Sequence, residues 1–308
     1  MKKELKDNIL CLVPVAALMA VVWFLLDGWL RLIIMGCLYL ALLELLYDTV
    51  RVLYGEPKRR KRPEGEVIRE EEEWYRSRQD PVLMEKFYPV GWALTGISAV
   101  VGFITMLNVG GYRFFSVVGI LCSVAAVALC SIYPAYFSLC HSEGEKNRKV
   151  HFPIINVLAP FAVPLFANAI CSLWIFSYAD WMKVLEVELV ALAVFGVATT
   201  CLLPEFRRHR TEWTAMMVLA ALLVFGVIAP LNTVLEMKPP QVQRAVVTEY
   251  HDEGSKAPPY YVMALADGTT IDLRDKGGFH RRDYTIGQTV EVEFHQGGLG
   301  MAYYCYHE

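Results

Sequence analysis

The sequence has little charge for a chain of its length, and that charge is unevenly spread. Only 20% of the 308 residues are charged and 55% are hydrophobic, whereas an average soluble domain has about 25% charged residues. Residues 55–87 contain 18 of the charged side chains, so the remainder is more apolar than the mean hydropathy of +0.36 indicates. This composition excludes a disordered chain and an ordinary soluble enzyme, and it indicates an integral membrane protein.

The motifs of several common enzyme and receptor classes are also missing. The sequence contains no HExxH, GxSxG, GxxxxGK[ST] or GxGxxG motif. No lysine lies within an expected span and no span is rich in arginine, which excludes a retinal Schiff base and a voltage sensor. No CxxC pair occurs, and seven of the eight cysteines lie in or beside apolar stretches, so no disulfide framework is expected.

Several apolar stretches are each long enough to cross a bilayer as a helix, which takes about 20 residues. They cover residues 9–26, 30–50, 88–108, 113–138, 153–177, 184–203 and 214–235. The sequence therefore predicts an all-α polytopic membrane bundle of seven transmembrane helices. Span 5 contains Pro160 and Pro164, and because proline removes a backbone donor, this span is either kinked or broken.

Lysine and arginine near the span ends predict the orientation. If the N-terminus is inside, every cytoplasmic segment carries at least three basic residues, whereas the three short outer loops carry one each: Arg31, Arg113 and Lys183. This asymmetry follows the positive-inside rule. An odd number of spans then places the residues after about 238 outside the cytoplasm. We expect a multi-pass protein of the plasma (inner) membrane with a cytoplasmic N-terminus and an extracytoplasmic C-terminus.

The predicted organisation has four parts: a transmembrane hairpin (1–54), a charged cytoplasmic loop (55–87), transmembrane helices 3–7 (88–238) and an extracytoplasmic β domain (239–308). The loop begins with five basic residues, which are candidate contacts for anionic lipid: Lys58, Arg59, Arg60, Lys61 and Arg62. Each such residue contributes about 1 kcal/mol of attraction to an anionic surface. Alternatively, these cations only fix the topology and precede a solvated helix.

Residues 239–308 have the pattern of a small antiparallel, barrel-like β domain. Apolar and polar side chains alternate in TVEVEF (289–294), which is the period of a half-buried strand. Asp267-Gly268 lies between two apolar runs and predicts a hairpin. The expected strands are RAVVTEY (244–250), YYVMALA (260–266), TTIDLR (269–274), TVEVEF and, after the Gly297-Gly298 turn, MAYYCY (301–306).

Four histidines lie in this domain, with Asp252 and Cys305 as further donors: His251, His280, His295 and His307. None has the i,i+4 or CxxC-like spacing of a recognisable zinc site, so we expect no metal site and no cofactor. The domain has six basic and ten acidic residues, which argues against nucleic acid as a partner. The expected partners are the lipid bilayer and a protein that binds this domain.

Polar side chains inside the spans are candidates for function because they are costly in lipid. On span 2, Glu44, Asp48 and Arg51 share one helix face. They form a proton or cation site with Glu44 as the buried carboxylate, or else span 2 ends near Leu46 and they lie among the headgroups. The complete candidate intramembrane polar site comprises Glu44, Asp48, Arg51, Asn156, Asn168 and Glu188.

Three functions are compatible with these features. The first is a non-enzymatic scaffold or sensor whose β domain binds a partner or an envelope ligand. The second is a transporter or transport-accessory protein that uses the Pro- and Asn-rich span 5 together with Glu44, since broken helices build substrate sites in transporters. The third is an intramembrane enzyme acting on lipid-linked substrates, for which no catalytic residues can be named.

Overall fold

The chain is described here by a computed structural model. It covers residues 38, 41, 44–45, 47–50, 52–53, 73–75, 77–107, 112–140, 154–203, 206, 210–252, 259–274 and 283–307. The longer helices are α1 (Pro81–Leu107), α2 (Tyr112–Ile132), α3 (Leu158–Ile175), α4 (Trp181–Leu202), α5 (Arg210–Leu223) and α6 (Phe225–Val234). The strands are β1 (Phe137–Ser138), β2 (Ile155–Asn156), β3 (Ser177–Tyr178), β4 (Gln241–His251), β5 (Tyr260–Leu265), β6 (Thr270–Arg274), β7 (Thr289–Gln296) and β8 (Ala302–Tyr306).

The described helices account for five of the predicted spans at most. Helices α1 to α4 are each long and apolar enough to cross a membrane, and the pair Glu212–Leu223 and Phe225–Val234 forms a fifth candidate bent by 42°. The predicted span 9–26 lies outside the described residues, and only scattered helical positions of span 30–50 are described. The expected number of seven spans is therefore not supported, and the described helical part is smaller.

The break in the helical part falls at a different place from the one that the prolines indicated. Helix α3, which is the predicted span 5, runs without interruption through Pro164. Pro160 lies in its first turn, where a helix does not need the missing N–H. The bend instead separates α5 from α6, within the predicted span 7, and Pro230 lies inside α6. A continuous span 5 removes one reason to expect a cavity there.

The chain divides into two compact units. Unit 1 comprises Met1–Leu94, Ala125–Leu158 and Leu189–Ala221, and unit 2 comprises Thr95–Val124, Ala159–Glu188 and Leu222–Glu308. In unit 1, the ring of Phe87 packs against Tyr133, Tyr136 and Phe137 at centroid distances of 4.8 to 5.2 Å. Strands β1 and β2 form a short parallel pair in the same unit.

Unit 2 contains the predicted β domain, which is a nearly closed sheet with the strand order β3-β8-β7-β4-β5-β6. All five expected strands are present, and Gly268 in the β5–β6 turn has φ of +85°, which glycine adopts without strain. Tyr306 on β8 donates to Leu273 O on β6 at 3.2 Å, which links the two sides of the rolled sheet. The side chains of its core are Ala245, Val247, Tyr261, Met263, Leu265, Ile271, Leu273, Val290, Val292, Tyr304 and Tyr306.

Strand β3 was not expected from the sequence. Its two residues lie between α3 and α4 and pair with β8, with Ser177 opposite Tyr304 and Tyr178 opposite Tyr303. The sheet of the β domain is therefore completed by a segment that connects two membrane-spanning candidates. This strand brings β8 directly beside the ends of those helices.

Candidate functional site

The β7–β8 hairpin presents several polar side chains on one face. The two strands pair antiparallel, with Glu293 opposite Cys305 and His295 opposite Tyr303. Because successive side chains in a strand point to opposite faces, the core residues Val292 and Tyr304 fix one face as interior. Glu293, His295, Tyr303 and Cys305 lie on the other face. Here we call Glu236, Glu293, His295, Cys305 and His307 the hairpin cluster.

His295 lies between two carboxylates at the centre of this cluster. Its Nδ1 is 2.9 Å from Oε2 and 3.0 Å from Oε1 of Glu236, and its Nε2 is 3.0 Å from Oε2 of Glu293. The side chains of His295 and Glu236 are only 6% and 5% exposed. The imidazole also stacks on the ring of Tyr303 at 4.7 Å and 3°. Both ring nitrogens therefore have fixed partners and the ring plane is fixed.

Two further side chains flank Glu293. His307 Nδ1 is 2.6 Å from Glu293 Oε1, and Cys305 Sγ is 3.9 Å from Glu293 Oε2 and 3.4 Å from His295 Nε2. Burial raises the pKa of Glu293, but the hydrogen bonds and charges of His307 and His295 lower it by a larger amount. The pKa of Glu293 therefore lies below its usual value. Glu293, His295 and Cys305 offer oxygen, nitrogen and sulfur ligand atoms that lie within 4.8 Å of one another, an arrangement that can hold a metal ion.

Glu236 is the member of the hairpin cluster that also contacts a helix end in unit 2. It follows α6 in the chain and accepts hydrogen bonds from Arg113 Nη2 at 3.3 Å and Tyr303 Oη at 3.4 Å. Arg113 is the second residue of α2. Burial, together with the negative charge of Glu236, raises the pKa of Tyr303, so the phenol stays protonated and can donate. A continuous chain of polar contacts thus runs from β8 to the beginning of α2.

Asn232 provides a second link between α6 and the β7–β8 turn. Its side chain is fully buried; Nδ2 donates to Met301 O at 2.8 Å, and Oδ1 accepts from Leu299 N at 3.0 Å. The backbone N–H of Gly298 also donates to Asn232 O at 2.8 Å. Together with β3, these bonds hold the turn of the hairpin at the end of α6.

The polar residues that the sequence predicted on span 2 are only partly described. Glu44 is exposed and Asp48 is half-buried, both in helical conformation, whereas Arg51 lies outside the described residues. The candidate lipid contacts Lys58, Arg59, Arg60, Lys61 and Arg62 also lie outside them. Asn156 is in β2, where its Oδ1 accepts the N–H of Leu158, the first residue of α3, at 2.8 Å.

Asn168 makes contacts between helices in unit 2. It is fully buried, and its Nδ2 lies 3.1 Å from both Ser116 O and Gly226 O. Pro230 has no N–H to give to Gly226 O four residues earlier, so the amide of Asn168 replaces that missing donor. Glu188 is half-buried in α4. The intramembrane polar site proposed from the sequence stays a prediction.

Sequence reasoning missed the hairpin cluster because it searched for helical and CxxC-like ligand spacings. The usable signal was the period of two: Glu293-x-His295 on one expected strand and Cys305-x-His307 at the end of the next, joined by a Gly-Gly turn. That pattern places all four side chains on one face of a hairpin. Glu236 gave no such signal, because its position depends on where α6 ends. Comparison with models of protein families, with curated proteins and with solved structures finds no match to this chain.

Proposed function

We propose that the chain is a non-enzymatic sensor or scaffold of the plasma (inner) membrane, whose β domain lies outside the cytoplasm and binds a partner or an envelope ligand. We also propose the orientation inferred from the sequence, in which an odd number of spans follows a cytoplasmic N-terminus. The observation that carries it is the polar connection from Glu293 through His295 and Glu236 to Arg113. A β domain joined to helix ends in this way can pass a binding event to the helices.

The connection suits a sensor because each of its groups is shared between two neighbours. A ligand that binds Glu293 or His295 competes for the hydrogen bond between Glu293 and His295 Nε2, and the other nitrogen of that ring contacts Glu236. A ligand shifts a conformational equilibrium only by its difference in affinity for the two states. A ligand that contacts His295 touches a residue bonded to Glu236, which in turn contacts Arg113 at the beginning of α2. Its affinity then depends on how these side chains are arranged. The continuous α3 no longer supports a broken-helix substrate site, which was the main reason to expect a transporter.

Hydrogen exchange measured by mass spectrometry on the full chain in lipid nanodiscs tests this coupling. In the Glu293→Gln variant we expect altered protection in residues 112–118 and 231–238, far along the polar connection from the substituted side chain. Glu291→Gln is the matched control, because Glu291 is exposed on the same strand. Unchanged protection of both helix ends in Glu293→Gln would contradict a sensor that works through this connection.

Cysteine labelling tests the orientation. Ile286 is 69% exposed in the β domain, and we expect Ile286→Cys, in a background with Cys140→Ser and Cys305→Ser, to react with a membrane-impermeant maleimide in sealed right-side-out vesicles. Arg60→Cys in the same background is the control and should react only after permeabilisation. The reverse pattern would place the β domain in the cytoplasm and overturn the proposed location.

A further inference from the structure

We infer that Glu293, His295 and Cys305 form a binding site for a divalent transition-metal ion of the Zn²⁺ type. Only the identification of this ion as the sensed envelope ligand rests on the proposed function, whereas the binding site itself is independent of it. Glu293 on β7 faces Cys305 on β8, and His295 lies two residues further along β7 on the same face. Among the residues that the structure describes, this is the one group whose donor atoms converge in this way.

The distances between the donor atoms fit a tetrahedral ion. His295 Nε2 is 3.0 Å from Glu293 Oε2 and 3.4 Å from Cys305 Sγ, and the oxygen and sulfur are 3.9 Å apart. Zinc bonds of about 2.0–2.3 Å at tetrahedral angles separate such donors by roughly 3.3–3.6 Å. The nitrogen–sulfur separation already fits this range, and each of the other two has to change by only about 0.3 Å to accommodate the ion.

The donor types select the class of metal. An imidazole nitrogen, a thiolate sulfur and a carboxylate oxygen together suit Zn²⁺ and neighbouring transition metals. Calcium and magnesium prefer sites made entirely of oxygen ligands, so a cluster with Cys305 and His295 discriminates against them. Three protein ligands leave the fourth position of a tetrahedral ion to water or to an external ligand.

A second and independent observation is the way in which His295 is oriented. Histidines that ligate metals almost always donate their other ring N–H to a carboxylate or a carbonyl, which fixes the tautomer and directs the free nitrogen at the ion. The Nδ1 atom of His295 lies 2.9 Å from the buried carboxylate of Glu236, within hydrogen-bond distance. The Nε2 atom is consequently the one that faces Glu293 and Cys305. On the far side of the site, His307 holds the second oxygen of Glu293 at 2.6 Å.

The site is also accessible from outside the protein. The side chains of Glu293 and His307 are 20% and 39% exposed, and Cys305 is half-buried. An ion can therefore reach the ligand atoms of Glu293 and Cys305 from solvent, and Nε2 of the buried His295 lies 3.0 and 3.4 Å from these two atoms. The ion binds the thiolate sulfur of Cys305 and the lone pair of His295 Nε2, so binding releases the thiol proton, together with any proton on Nε2, to solvent.

Titration of the full-length protein in nanodiscs with Co²⁺ tests the inference directly, because a cobalt–thiolate bond gives a charge-transfer absorption band. We expect saturation at one Co²⁺ per chain, loss of the ion on addition of Zn²⁺, and no competition from excess Mg²⁺ or Ca²⁺. The band should disappear in Cys305→Ser and persist in the control Cys140→Ser, whose thiol is exposed elsewhere. Glu236→Gln should weaken binding by roughly 10- to 100-fold and keep the band.

The outcomes separate the metal site from the sensor function. Absence of a saturable band in the wild-type protein, or a band that survives in Cys305→Ser, overturns the site without any appeal to the folding of a variant. If Zn²⁺ binds through Cys305 but leaves hydrogen exchange at residues 112–118 and 231–238 unchanged, the site stands and the ion is not the ligand that the sensor detects. If Glu293→Gln also leaves that exchange unchanged, the site stands and the proposed function fails. If Glu293→Gln changes that exchange and no metal binds, the function stands and the metal site fails.

Discussion

The contact between Asn168 and Gly226 allows a sharp test of how the helices of unit 2 are held together. Replacing Asn168 by Leu keeps the number and branching of the side-chain heavy atoms but removes the donor that lies 3.1 Å from Gly226 O. Because Pro230 offers no N–H, that carbonyl then has no helical donor at the usual position. An unsatisfied buried acceptor costs about 1–3 kcal/mol, and hydrogen bonds between membrane helices contribute about 0.6–1.7 kcal/mol. We expect Asn168→Leu to lower the free energy of unfolding by about 1–2 kcal/mol.

A double-mutant cycle distinguishes this explanation from a general packing effect. Pro230→Ala restores an N–H that can bond Gly226 O within α6, so Asn168→Leu should cost about 1 kcal/mol less in the Pro230→Ala background. The measurement is reversible denaturant unfolding of the full chain in mixed micelles, for the wild type, both single variants and the double variant. Asn156→Leu is the control, since its own partner is Leu158 N, and its cost should be the same in both backgrounds.

An equal cost of Asn168→Leu in the two backgrounds, within about 0.3 kcal/mol, would refute the view that the amide substitutes for the missing proline N–H. A larger cost in the Pro230→Ala background would refute it more strongly. It would mean that the bend between α5 and α6 relaxes when the proline is replaced, and that Asn168 then contributes by packing.

Three further predictions concern the same unit. Gly226→Ala should lower stability by about 1–3 kcal/mol in thermal unfolding, because its methyl group would overlap the backbone of α3; Gly96→Ala, with open space around it, should not lower stability. Asn232→Ala should reduce hydrogen-exchange protection of residues 297–301, since it removes the side-chain bonds of Asn232 to Met301 and Leu299 in the β7–β8 turn; unchanged protection would exclude that role. The pKa of Tyr303 is raised by burial and by the charge of Glu236, so stability should be fully present below pH ~10 and fall as the pH rises further. Tyr303→Phe should flatten that alkaline loss, and an equally steep loss would contradict it.

The features that the sequence predicted well are those that depend on local periodicity. The alternation in TVEVEF predicted the inward positions of Val290 and Val292, which lie in the core of the sheet. The Asp267-Gly268 signal predicted the β5–β6 turn, where Asp267 Oδ1 accepts the N–H of Thr269 at 2.9 Å. Hydropathy likewise predicted the positions of α1 to α4, because a run of about 20 apolar residues is a signal contained in one stretch of chain.

The features that were missed depend on which distant residues meet. Strand β3 has two residues between two apolar runs, and it is a strand only because β8 lies beside it. The sequence indicated Asn168 as part of a candidate polar site because its partner is 58 residues away. That partner is the carbonyl of Gly226, which Pro230 leaves without a helical donor. The hairpin cluster was closer to prediction, since its four hairpin residues follow a period of two. Only the identity of the carboxylate behind His295 required the three-dimensional structure.

The energetics of the hairpin cluster favour a ligand over a purely structural role. Burying charged groups costs several kcal/mol per ion, and well-packed apolar side chains of similar volume often give a fold of equal or greater stability. The side chains of Glu236 and His295 are nevertheless almost completely buried, and Arg113 reaches Glu236 from the helix side. On the opposite side, the carboxylate of Glu293 and the thiolate of Cys305 would together carry two negative charges, which a divalent cation neutralises. With the ion bound, His295 connects the cation to the carboxylate of Glu236, and Arg113 lies on the other side of that carboxylate. Metal binding therefore accounts for the burial of Glu236 and His295, which a contribution to stability alone does not.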